Sequence, residues 1–155
     1  MRIRPGTDSE TADLSALAVE SKRHWGYDEE FIERCRHELT VTGEDVAKGL
    51  VRVAVNENGK LLGFSMLRES PRPALDMLFV SPDEIGRGVG EALFHDSLGL
   101  ARSRGWRSLF IESDPFAASF YEHVGAVLVG SSTSASTGRE LPVYEVSTAI
   151  GAKET

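Results

Sequence analysis

Three glycines stand close together in Gly86-Arg87-Gly88-Val89-Gly90, between an apolar run and a helical pattern. The run Leu75-Asp76-Met77-Leu78-Phe79-Val80 has strand length, and Ser81-Pro82-Asp83 breaks it. Beyond the glycines, Val89, Leu93, Phe94, Leu98 and Ala101 fall near one helical face, and Gly105 supplies a stop. The first N–H groups of a helix have no partners inside it, and the helix dipole is positive there. Glycines remove side chains that would hold an anion off. The amides of Arg87, Gly88, Val89, Gly90 and Glu91 can then cradle a phosphate or pyrophosphate, with the Arg87 guanidinium nearby. A flexible turn that eases helix packing explains the same glycines. No Lys-Ser or Lys-Thr follows the last glycine, so this is not a P-loop. The spacing is also tighter than a dinucleotide fingerprint, and it sits in mid-chain.

Asp76 is a carboxylate within an apolar strand, which is unusual. By strand period it shares a face with Leu78 and Val80. Three roles are open to it: a base acting directly or through water, a holder of a cationic group, or a strand-end residue facing solvent. Glu112 is a second candidate for the same work. His24-Trp25-Gly26-Tyr27 offers rings that can stack on a compact cation or fill a corner between helices. His37, His95 and His123 lack partners at ligand spacing, and there is one cysteine, so no metal is implied.

A strand, Ser-Pro and then Ile85-Gly86-Arg87-Gly88-Val89-Gly90-x-x-Leu93 resembles the acyl-CoA pyrophosphate loop of the GNAT superfamily of N-acetyltransferases. Downstream, Asp114-Pro115-Phe116-Ala117-Ala118-Ser119-Phe120-Tyr121-Glu122-His123-Val124-Gly125-Ala126 resembles that family's Asn-x-x-Ala-x-x-Phe-Tyr-x-x-x-Gly-Phe segment. Either motif alone is moderately specific; both together, in order, are strong. They cover the C-terminal half, and the earlier residues match only in their pattern of elements.

The resemblance implies acetyl-CoA lying in a V between the central strand and the following one, Leu109 to Ser113. Backbone groups of Phe79 and Val80 would bond the pantetheine, and the amides of Gly86 to Glu91 the pyrophosphate. Asp114 and Ala117 would lie in the same cofactor site. Two positions depart from the pattern: Ile85 stands where the family usually has Gln or Arg, and Asp114 where it has Asn. Tyr121 aligns with the family's tyrosine that protonates the departing CoA thiolate. A phenol of pKa near 10 can give a proton to a thiolate of similar basicity. Packing beside Phe120 is the alternative. His24, Trp25, Tyr27 and Glu112 would border the acceptor.

These residues need a scaffold. Met1 to Pro5 reads as a strand, with a helix capped by Asp8 or Ser9 and running to about His24, and a second capped by Asp28. Thr42-Gly43-Glu44-Asp45 has a capping-box pattern that suits the start of one helical turn. Leu50–Val55 and Leu61–Leu67 pair around Asn58-Gly59. Ser108–Ser113, a helix opened by Asp114-Pro115, Val127–Gly130, a polar loop from Ser131 to Gly138, and Leu141–Ala149 complete the order. The pattern predicts a mixed α/β, mostly antiparallel sheet flanked by helices, the GNAT-like fold. One domain is expected over 1–150 with a tail at 151–155.

The 155 residues are 41% hydrophobic and 26% charged, as in ordinary globular domains. No apolar run spans a membrane, no leader is evident, and the single cysteine excludes an internal disulfide, so cytoplasm is the expected location. A net charge of −7 argues against a nucleic-acid partner and mildly favours cationic small molecules; solubility alone also explains it. The expected activity is acetyl transfer from acetyl-CoA, without a metal, to a primary amine of a small cationic acceptor. The alternative is a non-catalytic acyl-CoA-binding or sensing module on the same fold. A homodimer is left open.

Overall fold

A computed structural model describes residues 1–149. The expected tail at 151–155 lies outside the described residues. Seven strands form one sheet: β1 (Arg2–Pro5), β2 (Val51–Val55), β3 (Leu61–Arg68), β4 (Ala74–Val80), β5 (Ser108–Glu112), β6 (Val127–Thr133) and β7 (Glu140–Ser147). Their order across the sheet is β1-β2-β3-β4-β5-β7-β6, antiparallel except where β4 meets β5. The helices are α1 (Thr11–His24), α2 (Glu29–Cys35), α3 (Gly43–Ala47), α4 (Val89–Ser103) and α5 (Ala118–His123).

The helices bury both sheet faces, as the sequence pattern predicts. Leu14, Ala18 and Ile32 pack on Val53, Phe64 and Met77 from one side. Phe94, Ala101 and Tyr121 pack on Leu75, Leu109 and Ile111 from the other. Asp28 caps α2, accepting from the Phe31 amide at 2.9 Å. The start of α1 differs from expectation. Asp8 and Ser9 lie inside a 3-10 turn, Asp8–Glu10, capped by Thr7, whose amide donates to Glu10 at 3.0 Å. β6 also runs further than expected, because Ser131, Ser132 and Thr133 pair with Pro142, Leu141 and Glu140 of β7.

Two irregularities shape the centre. The register of β3 with β4 passes from Met66 opposite Met77 to Leu67 opposite Leu75, so Asp76 is an extra residue, a bulge. Leu75 and Leu78 consequently both pack on the α4 side, with Met77 and Phe79 on the α1 side. β4 and β5 meet only at Ala74 opposite Phe110, where the Phe110 amide donates to Pro73 O at 3.1 Å. Beyond that point the two strands part, and a gap opens between them.

Candidate active site

A cleft of about 480 Å³ lies at the β4–β5 gap, bordered by α1 and α2 from one face of the sheet and reaching Leu78 and Tyr121 of the other. Asp76, Glu112, Asp114, Ala117 and Tyr121 line it. So do Trp25, Leu78 and Phe79. With Arg139, residues from four separate parts of the sequence thus reach one space.

The bulge decides where Asp76 points. Strict alternation would place it with Leu78 and Val80; instead its carboxylate faces the cleft and takes Arg68 Nη1 at 2.6 Å. This corrects the face expected from strand period. Burial raises its pKa, opposed by Arg68 and reinforced by Asp45, Glu112 and Glu38. Its side chain keeps 27% exposure. Glu112 sits as far beyond the strand junction on β5 as Asp76 does on β4, so the two carboxylates flank the gap.

Tyr121 lies on α5, which follows directly on a 3-10 turn, Pro115–Ala117, that Asp114 caps by accepting from the Phe116 amide at 2.9 Å. Pro115 follows at a position that needs no N–H. The ring packs between Phe94, Phe120 and Tyr144, at centroid distances of 6.3, 5.3 and 6.2 Å. Burial, and then the negative charge of Asp114, push its phenol well above the usual tyrosine range. Tyr121 also lines the cleft.

Asp114 is the centre of a network that its sequence position does not disclose. It accepts from Lys22 Nζ at 2.6 Å and from Tyr27 OH at 3.0 Å, with Arg139 Nη2 at 3.6 Å. Arg139 Nη1 also donates to Tyr27 OH at 2.7 Å. Burial alone would raise the Asp114 carboxyl, but Lys22, the Phe116 amide and Tyr27 outweigh it and hold it below the usual carboxylate range. With its oxygens so engaged, the carboxylate serves the protein before any cofactor. The network ties α1 and the α1–α2 connection to the β5–α5 turn and the β6–β7 loop.

That tie positions the aromatic cluster. Trp25 lies 6.1 Å from Phe116, nearly parallel, and 6.5 Å from Phe79. Tyr27 stacks on Phe31 at 4.1 Å. Trp25 lines the cleft, Tyr27 stands behind it with its hydroxyl on Asp114, and exposed His24 is outside the lining. Only part of the expected acceptor cluster therefore meets the cleft.

At the glycine loop, Gly86 and Gly88 have φ of +84° and +85°, a conformation that side chains strongly disfavour. No atom lies within 4 Å of the space a Cβ would take at either. Gly90 is not constrained in this way: a Cβ there would meet Phe120 at 3.4 Å and Val80 at 3.5 Å, both ordinary contact distances. Helix hydrogen bonding begins with Ala92 N donating to Gly88 O. The amides of Gly88, Val89, Gly90 and Glu91 thus have no acceptor within α4. The Arg87 amide, expected to join the cradle, is taken by Glu84 O at 3.3 Å. The Val80 carbonyl, expected at the pantetheine, accepts from Ser21 Oγ at 3.0 Å.

Lys22, Arg68 and Arg72 also line the cleft and were not among the sequence candidates. Lys22 and Arg68 lie in ordinary amphipathic patterns, and no local signal marks them.

The chain matches the family described as "Acetyltransferase (GNAT) domain" over residues 11–141. Peptidyl-lysine N-acetyltransferase YjaB of Escherichia coli (strain K12) is 32% identical over 94 residues, which are 61% of this chain and 60% of that protein. The match therefore spans about three fifths of the curated relative's length. The solution structure of apo-form YjaB from Escherichia coli has a TM-score of 0.71 at 26% identity, covering 97% of this chain and 98% of that one. A GCN5-related N-acetyltransferase from Rhodopseudomonas palustris gives 0.73 at 26% identity, with 94% of each chain covered. PaiA N-acetyltransferase from Thermoplasma acidophilum, solved in complex with coenzyme A, gives 0.77 at 19% identity over 94% of this chain and 98% of that one, a likeness of fold. With its glycine-rich α4 start, parted central strands and family match across most of its length, the chain belongs to the GNAT acetyltransferase family.

Proposed function

We propose that the chain moves an acetyl group from acetyl-CoA directly to the primary amine of a compact acceptor that is protonated at rest. The observation that carries this is the meeting of Asp76 and Tyr121 in one cleft, across the gap between β4 and β5. Acetyl-CoA, when bound, supplies the thioester carbon that the amine attacks. The unpaired amides at Gly88, Val89, Gly90 and Glu91 fit its pyrophosphate. Phe79 and Ala117 line the cleft where its pantetheine arm would lie, with Val80 next along β4. Support for this co-substrate comes also from the family and from the coenzyme A complex of the PaiA structure.

Asp76 or Glu112, directly or through water, takes a proton from the ammonium so that the nitrogen lone pair is free. The N–C bond forms, the C–S bond breaks, and the Tyr121 hydroxyl gives its proton to the departing sulfur; the acylated nitrogen then releases its second proton, which returns through water to the Tyr121 phenolate, leaving a neutral amide and a free thiol. Positioning of the amine against the carbonyl, with backbone polarisation, supplies most of the rate. Trp25 closes the acceptor side, held by the Asp114 network. A cytoplasmic setting, a metal-free reaction and no nucleic-acid partner are parts of the same reading. The acidic net charge and the single, buried Cys35 support them.

A homodimer through β6 also belongs to the proposal. Val127, Leu128 and Val129 on this edge strand are 63%, 57% and 51% exposed. No charged residue occurs from Val124 to Gly138, so nothing repels a second copy of the same edge.

The test is thiol release from acetyl-CoA with a panel of amines. Turnover is expected with at least one, and Tyr121→Phe should lower kcat by about 10²-fold with acetyl-CoA affinity intact. Wild-type kcat in that variant removes Tyr121 as the acid. Acetyl-CoA binding without turnover of any amine favours the binding module instead.

A further inference from the structure

Among the described residues, three charges in the cleft stand outside its Lys/Arg–carboxylate pairs: Arg72, Glu112 and Glu38, the last of which meets His37 and accepts from Ser136 Oγ. Lys22 and Arg139 answer Asp114, and Arg68 answers Asp76. Arg72 and Glu112 line the same cleft and, among the described residues, join none of these pairs. Arg72 lies in the β3–β4 turn with its guanidinium carbon 3.6 Å from the centre of the Phe110 ring. Stacking covers one face of the guanidinium and leaves its N–H edge available, the arrangement suited to a bidentate carboxylate. Arg68, at the other end of that turn, gives Nη1 to Asp76 and has a buried Nε with no partner. A buried donor without an acceptor is unfavourable, and a bound anion relieves it.

Glu112 is two residues beyond Phe110 on β5, on the same face. Arg72, through its stacking on Phe110, and Glu112 therefore meet over one face of β5. An unpaired cation and an unpaired anion on one face of a cleft fit a small molecule bearing both opposite charges. The cleft as a whole agrees. Four basic side chains (Lys22, Arg68, Arg72, Arg139) face four carboxylates (Glu38, Asp76, Glu112, Asp114), so it is not an acidic trap for a polycation.

We propose that the acceptor is an amino acid or similarly compact amino carboxylate, its carboxylate held by Arg72 with Arg68 and its ammonium by Glu112 beside Asp76. This rests on the acyl-transfer reading for the fate of the amine. Arg72 and Arg68 act on the acceptor only, and the carboxylate is unchanged in the reaction.

The experiment is thiol release from acetyl-CoA with the common α-amino acids, β-alanine and γ-aminobutyrate. Each is compared with its carboxamide, with spermidine and with a lysine peptide. At least one amino acid should exceed its carboxamide in kcat/KM by 10-fold or more. Arg72→Gln should erase that preference, chiefly through a 10- to 100-fold rise in KM for the acid, and Arg72→Lys should restore part of it. A carboxamide, spermidine or the lysine peptide used as well as any amino acid overturns the proposal. So does an Arg72→Gln variant that raises KM for acid and amide alike. If no amine turns over, the acyl-transfer reading fails, and calorimetric titration of the same amino acids into the protein with CoA decides this one. Binding that Arg72→Gln weakens upholds the site; no binding, or binding indifferent to Arg72, overturns it.

Discussion

Removing Asp114 should loosen the cleft more than any other single carboxylate change. Its side chain is 7% exposed, and that of its partner Lys22 is 12%. Truncating one member of a buried ion pair leaves the other charge desolvated and costs about 3–5 kcal/mol. Lys22 keeps the rings of Trp25 and Tyr27 at 5.3 and 5.4 Å, which places Asp114→Ala near the low end, at about 3 kcal/mol. Asp114→Asn keeps the shape and an acceptor for the Phe116 amide but loses the charge, so about 1.5–3 kcal/mol is expected. Lys22→Met combined with Asp114→Leu removes both charges, and its loss should fall well short of the sum of the single changes. Urea unfolding followed by tryptophan fluorescence measures all three. At a slope of about 2 kcal/mol per molar, 3 kcal/mol moves the midpoint by about 1.5 M. The pH dependence has a definite sign. The Asp114 carboxyl is depressed in the folded state, so its contribution is present above its ordinary value of about 4 and is lost as pH falls through the depressed one. The difference between wild type and Asp114→Ala should be level from pH 7 to 5 and shrink below 4. An Asp114→Ala protein within 1 kcal/mol of wild type, or a double variant equal to the sum of its singles, would falsify this account of the network.

Three further outcomes follow from the site. Gly88→Ala should weaken acetyl-CoA binding in calorimetry because it strains the left-handed loop, whereas Gly90→Ala, meeting Phe120 at ordinary contact distance, should change it little; equal losses would mean that both glycines serve packing alone. Asp76→Asn should lower kcat/KM for the acceptor most below the amine's pKa and progressively less above it, where the free amine needs no base; an effect constant from pH 6 to 9 removes Asp76 from the proton path. Leu128→Lys should leave the fold intact and convert any dimer to monomer in sedimentation at equal concentration; a wild-type protein that is monomeric at high concentration ends the β6 dimer reading.

Local backbone needs could be read directly from the chain. Gly86 and Gly88 are glycines because their φ values require it, and Pro115 and Asp28 mark helix starts by geometry confined to a few neighbouring residues. Strand and helix order followed for the same reason: periodicity reports which face of an element meets the core. Asp76 escaped that logic. Its direction is set by a bulge, and a bulge exists only in the pairing of β4 with β3, not in either strand alone. Asp114 shows the same limit from another side. Its motif position suggested the cofactor, yet its partners Lys22, Tyr27 and Arg139 come from distant segments and can be known only once the chain has closed on itself. Net charge was the least transferable sequence signal. The whole chain carries −7, but the cleft brings four cationic and four anionic side chains together, because folding selects which charges face one space and leaves the rest in water.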